Sequence, residues 1–313
     1  MSWPHRIEEL AGLPGPVAVA IGVFDGLHCG HQEVVRAAVE HARQHQGTAV
    51  VLTFDPHPAA VLNPEKVPLL LTTPAHRRRL AAEMGAERLV ALPFTPEFAA
   101  TPADAFIRGL VEICQPLGCV SVGYDWRFGK GGAGNVHQLM DAGAREGFAV
   151  YGVPPVRVQE RVVSSTWVRE AVTAGDLDLA ERLLGRAFGY WGTVVKGRQL
   201  GAQIGFPTAN VLLETQVHPP QGVYVCEVIV GAQRCRAVCN LGRRPTVETK
   251  GALALEAHLL DWQGDLYGQP IEVRLLHHLR GEQRFDGVTA LKTQIQRDAE
   301  AARSWWKAFP GKD

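Results

Sequence analysis

The chain has no excess of charge of either sign. Lysine and arginine together number 32, aspartate and glutamate also number 32, and the formal net charge at pH 7 is +0. Proteins that bind nucleic acid or an anionic membrane over a broad surface usually carry a marked positive excess. The balance therefore argues against both kinds of partner, although it leaves room for a local basic pocket that binds a phosphorylated metabolite.

Long apolar runs and paired cysteine motifs are also missing. The first residues, MSWPHRIEEL, carry glutamates where a signal peptide needs an apolar stretch. The longest early apolar run, Val17 to Ile21, is far shorter than a membrane-spanning helix. The six cysteines form no CxxC pair, so neither a disulfide framework nor a zinc framework is expected. We expect a cytoplasmic protein with reduced thiols.

The length of 313 residues favours two domains, because single hydrophobic cores seldom grow past about 250–300 residues. In the first half, apolar runs such as PVAVAIGVF and TAVVLTF alternate with helical patterns, which predicts a doubly wound parallel sheet of α/β class. Farther along, consecutive strands are followed by one amphipathic helix, which predicts a small antiparallel β-barrel. We therefore expect domains at 1–185 and 186–313.

Several helix boundaries can be located from the residues that flank them. A helix is predicted from Gln32 to Gln46, with its apolar residues on one face. The pairs Thr73-Pro74 and Thr101-Pro102 each combine a capping residue with a proline suited to the first helical turn, so each predicts the start of a further helix.

The stretch GVFDGLHCGH, which begins at Gly22, places His28 and His31 between the first strand and the first helix. Open parallel sheets bind ligands at the carboxyl ends of their strands, and a helix N-terminus attracts anions. Imidazoles there can donate to a phosphate, while Gly22 and Gly30 let the backbone approach a bulky ligand. The stretch fits a nucleoside triphosphate. A pair of exposed histidines, or a weak zinc site, are the alternatives.

The same stretch resembles the HxGH signature of the nucleotidyltransferase superfamily, and in particular the opening of the bifunctional bacterial riboflavin kinase/FAD synthetase family. Segments that resemble the rest of that family follow in its order. They are LTFDPHP (52–58), VGYDWRFGKGGAGN (122–135), SSTWVREAVTAGDLDLAERLLGR (164–186), GTVVKGRQLGAQIGFPTANV (192–211), GVYVCEV (222–228), CNLGRRPTV (239–247) and LEAHLLDWQGDLYGQPIEVRLLHHLRGEQRF (255–285). The resemblance covers nearly the whole chain. It implies a Rossmann-like FMN adenylyltransferase domain, followed by a β-barrel riboflavin kinase domain with a C-terminal helix.

For the first domain, the resemblance implies transfer of the adenylyl group of ATP to FMN, with release of pyrophosphate. The phosphate of FMN is largely deprotonated near neutral pH, so the step needs positioning and charge stabilisation rather than a base. By resemblance, His28 and His31 hold the ATP phosphates and steady the transition state, while Ser164, Ser165 and Arg169 close on the phosphates from a loop.

The resemblance also assigns residues around this ATP site, namely Gly22, Phe24, Asp25, Gly30 and Asp125. For Asp25, and for Asp55 in the next motif, a role as a turn-forming aspartate is an alternative to a role in the site.

For the second domain, the resemblance implies phosphorylation of riboflavin, whose ribityl hydroxyl needs a general base or a metal. Glu256 matches the family's catalytic glutamate, although strand alternation alone would make it a surface residue. Thr208 and Asn210 carry oxygens that suit Mg²⁺, which would bridge the phosphates. The other residues assigned to ATP and flavin binding are Gly197, Gly201, Gly205, Pro207 and Arg284.

The chain departs from the family at Gly132 and Ala202, where arginine is common, and each loss removes a phosphate contact. Lys130, Lys196 or Arg198 could substitute. The departures leave open a kinase whose first domain only binds nucleotide. A non-enzymatic flavin-binding or regulatory protein is the other alternative, and the intact kinase residues argue against it.

Two other interpretations of glycine-rich motifs are disfavoured. GKGGAG formally matches GxGxxG, but it does not directly follow a strand and has no acidic partner about 20 residues on, so a dehydrogenase is not expected. No GxxxxGK[ST] occurs, which disfavours a Walker-type kinase. The expected ligands are riboflavin, FMN and ATP, with Mg²⁺ as cofactor.

Overall fold

The computed structural model describes residues 7–197, 200–213, 216–243 and 253–309. The chain divides into two compact units. The first comprises the residues up to Leu69 together with Arg77–Ser165, and the second comprises Leu70–His76 together with the chain from Thr166 onward. The helices that follow Ser165 therefore group with the second unit in space. A functional boundary near residue 185 stays a prediction.

The first unit is built on a five-stranded parallel sheet with the strand order β3-β2-β1-β4-β5. Its strands are β1 Val17–Ile21, β2 Thr48–Asp55, β3 Arg88–Pro93, β4 Leu117–Gly123 and β5 Ala149–Val153. The direction of strand addition reverses between β1 and β4, which lie side by side. The predicted doubly wound sheet is confirmed, and this reversal is where such sheets bind ligands.

Burial on both faces explains why β1 is a continuous apolar run. Val17, Val19 and Ile21 pack into one buried cluster, while Ala18 and Ala20 pack into another. Alternate residues of a strand point to opposite faces, so each cluster occupies one face of the sheet.

The α-helices of the first half lie between the strands of this sheet along the chain. They are α1 Cys29–Gln44, α2 Ala59–Leu62, α3 Pro74–Glu83, α4 Pro96–Ala99, α5 Ala103–Ile113 and α6 Val136–Glu146. The first helix starts earlier than the predicted Gln32, because His28 caps it. Thr73 caps α3 as predicted, with its Oγ1 accepting from the His76 N–H at 3.2 Å. At α5 the N-cap is Pro102 and not Thr101, and no side chain caps that helix.

The segment that leaves the first sheet contains a two-stranded ladder and two helices. They are β6 Arg157–Val158, β7 Arg161–Val162, α7 Ser165–Ala174 and α8 Leu177–Leu184.

The second unit contains six antiparallel strands in the order β8-β13-β10-β11-β12-β9. The strands are β8 Gly189–Thr193, β9 Ala209–Leu212, β10 Gly222–Val230, β11 Gln233–Arg243, β12 Leu253–Leu259 and β13 Pro270–Gly281. Val195, just beyond β8, forms an antiparallel bridge to Asn210 on β9, and its N–H donates to the Asn210 carbonyl at 2.9 Å. The sheet is therefore a nearly closed barrel, as expected.

Two further helices belong to the second unit, the short α9 Leu200–Gln203 and the C-terminal α10 Val288–Ala308. Ala302 and Trp306 of α10 are buried with Val223 and Val225 of β10. The predicted amphipathic helix is confirmed, and Trp306 serves packing.

Candidate active sites

The first candidate site lies in the loop between β1 and α1. This loop leaves the carboxyl end of β1, and Asp125 follows the carboxyl end of the neighbouring β4 as an exposed side chain. Both positions are therefore at the sheet edge where the strand order reverses. A ligand at that edge would meet the start of α1, where the helix dipole favours negative charge.

His28 and His31 form a stacked pair at the N-terminus of α1. His28 is the N-cap residue, and its Nδ1 accepts a hydrogen bond from the His31 backbone N–H at 3.2 Å. Because Nδ1 accepts, a neutral His28 ring carries its proton on Nε2, which is then a donor. The two ring centres are 3.6 Å apart with an interplanar angle of 16°. The pair therefore concentrates imidazole groups at a position that already favours anions.

The glycines of this loop make room for side chains of the chain itself. A Cβ at position 22 would lie 3.0 Å from the Phe24 ring, and one at position 30 would lie 3.3 Å from the His28 ring. Phe24 has a left-handed φ of 51°, and its ring lies at 75° to the His31 ring, with the two ring centres 5.2 Å apart. Gly22 and Gly30 thus allow the aromatic rings to support the histidine pair, which the sequence pattern alone did not indicate.

Asp25 is fully buried, unlike a solvated turn aspartate. The buried side chain of Arg77 lies in the electrostatic field of Asp25 and of Asp55, whose side chain is exposed. Burial lowers the pKa of the Arg77 guanidinium, and the two carboxylates oppose that change. Arg77 is a residue that sequence reasoning missed, because the run of arginines on α3 resembles a solvated helix face.

The SST segment reaches the same loop through a hydrogen bond. Ser165, the first residue of α7, donates from Oγ to the Asp25 carbonyl at 2.9 Å. Its neighbour Ser164 is half-buried. Arg169 is also half-buried and lies on α7 in the second unit. The structure therefore brings Ser165 to the loop that carries His28.

The second candidate site lies on the barrel, where three polar residues form a row across neighbouring strands. Asn240 of β11 pairs in register with Glu256 of β12, and Glu256 pairs in register with Asn210 of β9. Residues directly opposite each other in adjacent strands project from the same face. Glu256 is half-buried, so it is not the fully solvated residue that alternation alone predicts. Asn240, which the sequence reasoning missed, could not be found before the strand register was known.

Thr208 and Asn210 come together at one end of this row. The Asn210 side-chain Nδ2 lies 3.2 Å from the Thr208 carbonyl oxygen and 3.4 Å from the Thr208 hydroxyl. A Cβ at position 197 would lie 2.6 Å from the Asn210 Oδ1, so Gly197 is required by close approach. In the described residues, no cluster of three or more His, Cys, Asp or Glu side chains could hold a metal. The hydroxyl and amide oxygens of this pair nevertheless fit a hard divalent cation that also binds phosphate and water.

The other predicted kinase residues are Gly201, just before the GFPTAN segment, Gly205 and Pro207 within it, and Arg284. Gly201 begins a tight turn in which its carbonyl accepts from the Phe206 N–H at 2.8 Å, and Gly205 has a left-handed φ of 94°. The Pro207 carbonyl oxygen lies 2.9 Å from His258 Nδ1 on β12. Arg284 is exposed beyond the end of β13.

The structure also describes the two positions where arginine is missing. Gly132 has a φ of 67°, a left-handed conformation that favours glycine over arginine, and the nearby Lys130 is exposed. Ala202 is exposed on α9, and Lys196 is exposed as well. Arg198, the other suggested substitute, lies outside the described residues.

Comparison with known proteins identifies a family for each half of the chain. The FAD synthetase family model matches residues 12–167, and the Riboflavin kinase family model matches residues 184–306. A bifunctional riboflavin kinase/FMN adenylyltransferase of Escherichia coli K12 is 39% identical over 308 residues, covering 98% of each chain. The chain belongs to the bifunctional riboflavin kinase/FMN adenylyltransferase family.

Other family members match over similar lengths. The Pseudomonas fluorescens protein of the same description is 39% identical and covers 91% of each chain, and the Bacillus subtilis protein is 34% identical and covers 96% of each. These bifunctional relatives extend along the whole chain, so the alternative of a first domain that only binds nucleotide is not favoured.

One solved structure also matches over nearly the full length. It is described as a macrolide-efflux protein from Streptococcus pneumoniae, and it has a TM-score of 0.79, 32% identity and coverage of 96% of this chain and 98% of that chain. That description belongs to the neighbour. Among the described residues of this chain, no helix is both long enough and apolar enough to span a membrane.

Proposed function

We propose that this chain carries out two successive transfers from ATP, first to riboflavin in the second unit and then to FMN in the first unit. The observation that supports this most directly is the contrast between the two donor sets. The loop after β1 presents hydrogen-bond donors at a helix N-terminus, whereas the barrel row includes a carboxylate beside hydroxyl and amide oxygens. Adenylyl transfer requires the first set, and phosphorylation of an alcohol requires the second.

In the adenylyl transfer, His28 and His31 donate to the ATP phosphates, and Ser164, Ser165 and Arg169 contribute further donors. The attacking group is the phosphate of FMN, which needs no base near pH 7 because its second pKa is about 6. The stacked imidazoles hold the α-phosphate while the bond to pyrophosphate breaks. Charge that builds on the phosphoryl oxygens in the transition state is matched by these fixed donors.

Gly22, Phe24, Asp25, Gly30 and Asp125 form the rest of this pocket in the proposal. Phe24 and the two glycines support the histidine pair. Asp25 anchors the loop through its backbone carbonyl, and the exposed Asp125 lies at the end of the neighbouring strand, where the nucleoside would be bound.

In the kinase reaction, Glu256 accepts the proton of the ribityl hydroxyl as that oxygen attacks the γ-phosphorus of ATP, and the bond between the γ-phosphorus and the β-phosphate oxygen breaks so that ADP leaves. Thr208 and Asn210 would hold Mg²⁺, which would supply positive charge to offset that of the ATP phosphates. Gly197, Gly201, Gly205 and Pro207 shape the segment over the phosphates, and Arg284 contributes a positive charge. In this proposal the functional boundary lies near residue 185, the enzyme is cytoplasmic, and its substrates are riboflavin, FMN and ATP.

A time course with riboflavin, ATP and Mg²⁺, followed by chromatography of the flavins, tests the proposal. We expect FMN to appear first and FAD to follow, and we expect both to disappear when a chelator removes the metal. FMN that accumulates without FAD would instead support a first domain that only binds nucleotide. Purified protein that converts neither riboflavin nor added FMN would refute the proposed function.

A further inference from the structure

The carbonyl of Val23 is held by two buried side chains that the proposed reactions do not use. The last sheet hydrogen bond beyond β1 runs from the Gly22 N–H to the Leu52 carbonyl at 3.1 Å, so Val23 is the first residue past the sheet. Its carbonyl accepts from the Thr53 hydroxyl at 2.8 Å and from the Arg77 Nη1 at 3.1 Å. A carbonyl oxygen has two lone pairs, so these donors saturate it.

The Val23 carbonyl sits where the loop turns towards the histidine pair. The next residue, Phe24, has the left-handed φ of 51°, and its ring supports His31. Farther along, the Leu27 carbonyl accepts from the Gln32 side chain at 2.8 Å. Side chains from outside the loop therefore fix its backbone at both ends, and a shift at Val23 would be passed on to His28 through only four intervening residues.

Packing alone gives no reason for an arginine at position 77. Arg77 is 3% exposed, and its Nε has no hydrogen-bond partner among the described residues. A buried guanidinium with an unsatisfied N–H is costly, and an apolar residue of similar volume is often as stable or more stable. The charges of Asp25 and Asp55 offset part of this cost. The hydrogen bond to the Val23 carbonyl is the contact at this position that requires a long side chain with a donor at its end.

We propose that Thr53 and Arg77 are positioning residues for adenylyl transfer, because their paired hydrogen bonds to the Val23 carbonyl fix the loop that places His28 and His31 against the phosphates. The inference rests on the proposed function of the first unit. Neither side chain touches the reacting atoms in this proposal, and both act through the loop backbone.

Strand β2 offers a matched control for Thr53. Thr48 is also a buried threonine of β2, and its hydroxyl also donates to a backbone carbonyl, that of Pro14 at 2.7 Å. Thr48 begins β2, whereas Thr53 lies near the carboxyl end, where the site is. Thr53→Val and Thr48→Val therefore remove the same group, with the same change of shape, at opposite ends of one strand.

The experiment compares full-length wild type with T53V, T53S and T48V. For each, kcat and KM for ATP are measured in FMN adenylylation, and riboflavin phosphorylation is measured on the same preparation. We expect T53V to lower kcat of adenylylation by about tenfold or more, since displacing a catalytic group by ~1 Å can cost ~100-fold. We expect riboflavin phosphorylation to be unchanged in T53V, and T53S and T48V to behave like wild type.

Arg77 is tested by a second pair of variants. R77M keeps an unbranched side chain but removes the donors, and R77K keeps a charged donor. We expect R77M to lower kcat of FMN adenylylation with riboflavin phosphorylation unchanged, and R77K to recover part of the loss.

The outcomes separate this inference from the proposed function. If wild type makes no FAD from FMN and ATP, the proposed function of the first unit fails. If wild type is active and T53V matches T48V, the positioning role of Thr53 is overturned. The role is also overturned if T53V loses both activities equally, because that result marks a residue that supports the fold as a whole.

Discussion

At the scale of single residues, Glu256 provides the sharpest test of the kinase site. Replacing it with glutamine keeps the shape of the side chain but removes the group that accepts the proton of riboflavin. We expect E256Q to lose about 100-fold or more of the riboflavin kinase rate, the contribution typical of general base catalysis. Adenylylation of added FMN should continue at the wild-type rate. The two rates can be followed separately by chromatography of the flavins.

The matched control for this variant is E300Q, which makes the same substitution at an exposed position of α10. It should keep both activities. A normal kinase rate in E256Q would contradict the proposed role of Glu256 and would leave phosphate and metal binding as the whole of the catalysis.

Glu272 gives a residue-scale prediction about acid stability. Burial alone would raise the pKa of this carboxyl, but the His76 ring nitrogen 3.5 Å away and hydrogen bonds from Arg274 at 2.9 and 3.2 Å lower it to about 2, from the ordinary 4.5. Because the folded pKa lies below the unfolded one, the stabilisation is fully present above pH 4.5. It is lost as the pH falls towards 2, and amounts to about 3 kcal/mol.

Glu272→Gln should therefore lower the melting temperature at pH 7 and reduce the fall in melting temperature between pH 4.5 and 2. Thermal unfolding monitored by circular dichroism over this pH range checks both effects. If the variant and wild type lose stability in parallel through that window, the carboxylate of Glu272 is not the source of the dependence.

The residues that sequence reasoning missed were missed for the same physical reason. Arg77 lies within a run of three arginines that has no apolar periodicity, and its burial arises only because the β1 loop and α3 meet in the folded unit. Asn240 acquires its place beside Glu256 from strand register. Contacts between residues far apart in sequence set both positions, so composition and spacing could not reveal them. His28 could be found because it lies inside one contiguous motif.

At the scale of elements, α1 lets the capping role of His28 be separated from its chemical role. His28 caps the helix through Nδ1, and it is also one of the proposed phosphate ligands. Serine is a favoured N-cap residue, whereas alanine at that position costs about 1 kcal/mol. Both H28S and H28A remove the ring. We expect H28S to be about 1 kcal/mol more stable than H28A, and both variants to lose FMN adenylylation.

Urea unfolding measures the difference in stability between these two variants, and an FMN adenylylation assay measures the chemical loss. Riboflavin phosphorylation should be unchanged in both. Substantial FAD formation by H28S would mean that the imidazole matters chiefly as a helix cap.

The elements that sequence predicted well are those with strong periodicity. The continuous apolar β1 and the long amphipathic α10 were both identified, because burial on two faces and burial on one helical stripe leave distinct patterns. Strand β9 was not identified. It has only four residues and follows Gly205-Phe206-Pro207, which is typical of a loop. The strand is held by its pairing with β12 and by the bridge between Asn210 and Val195.

At the scale of the whole molecule, the proposed activities rest on different sheets. In the proposal, His28 and His31 follow β1 of the parallel sheet, and Glu256 lies on β12 of the barrel, which has buried clusters of its own. A variant without one activity should therefore keep the other. The balanced net charge is consistent with this organisation, because phosphates need a few local donors rather than a broadly basic surface.

A mixture of two variants that each keep one activity tests whether FMN passes from one chain to another. H28A/H31A should make only FMN from riboflavin, and E256Q should convert only added FMN to FAD. We expect their mixture to make FAD from riboflavin after a lag, because FMN released by one chain must accumulate before the other chain binds it. The lag should shorten as the concentration of E256Q rises, and chromatography of timed samples measures it. If the mixture accumulates FMN but makes no FAD, although E256Q alone converts added FMN, then FMN does not pass freely from one chain to the other.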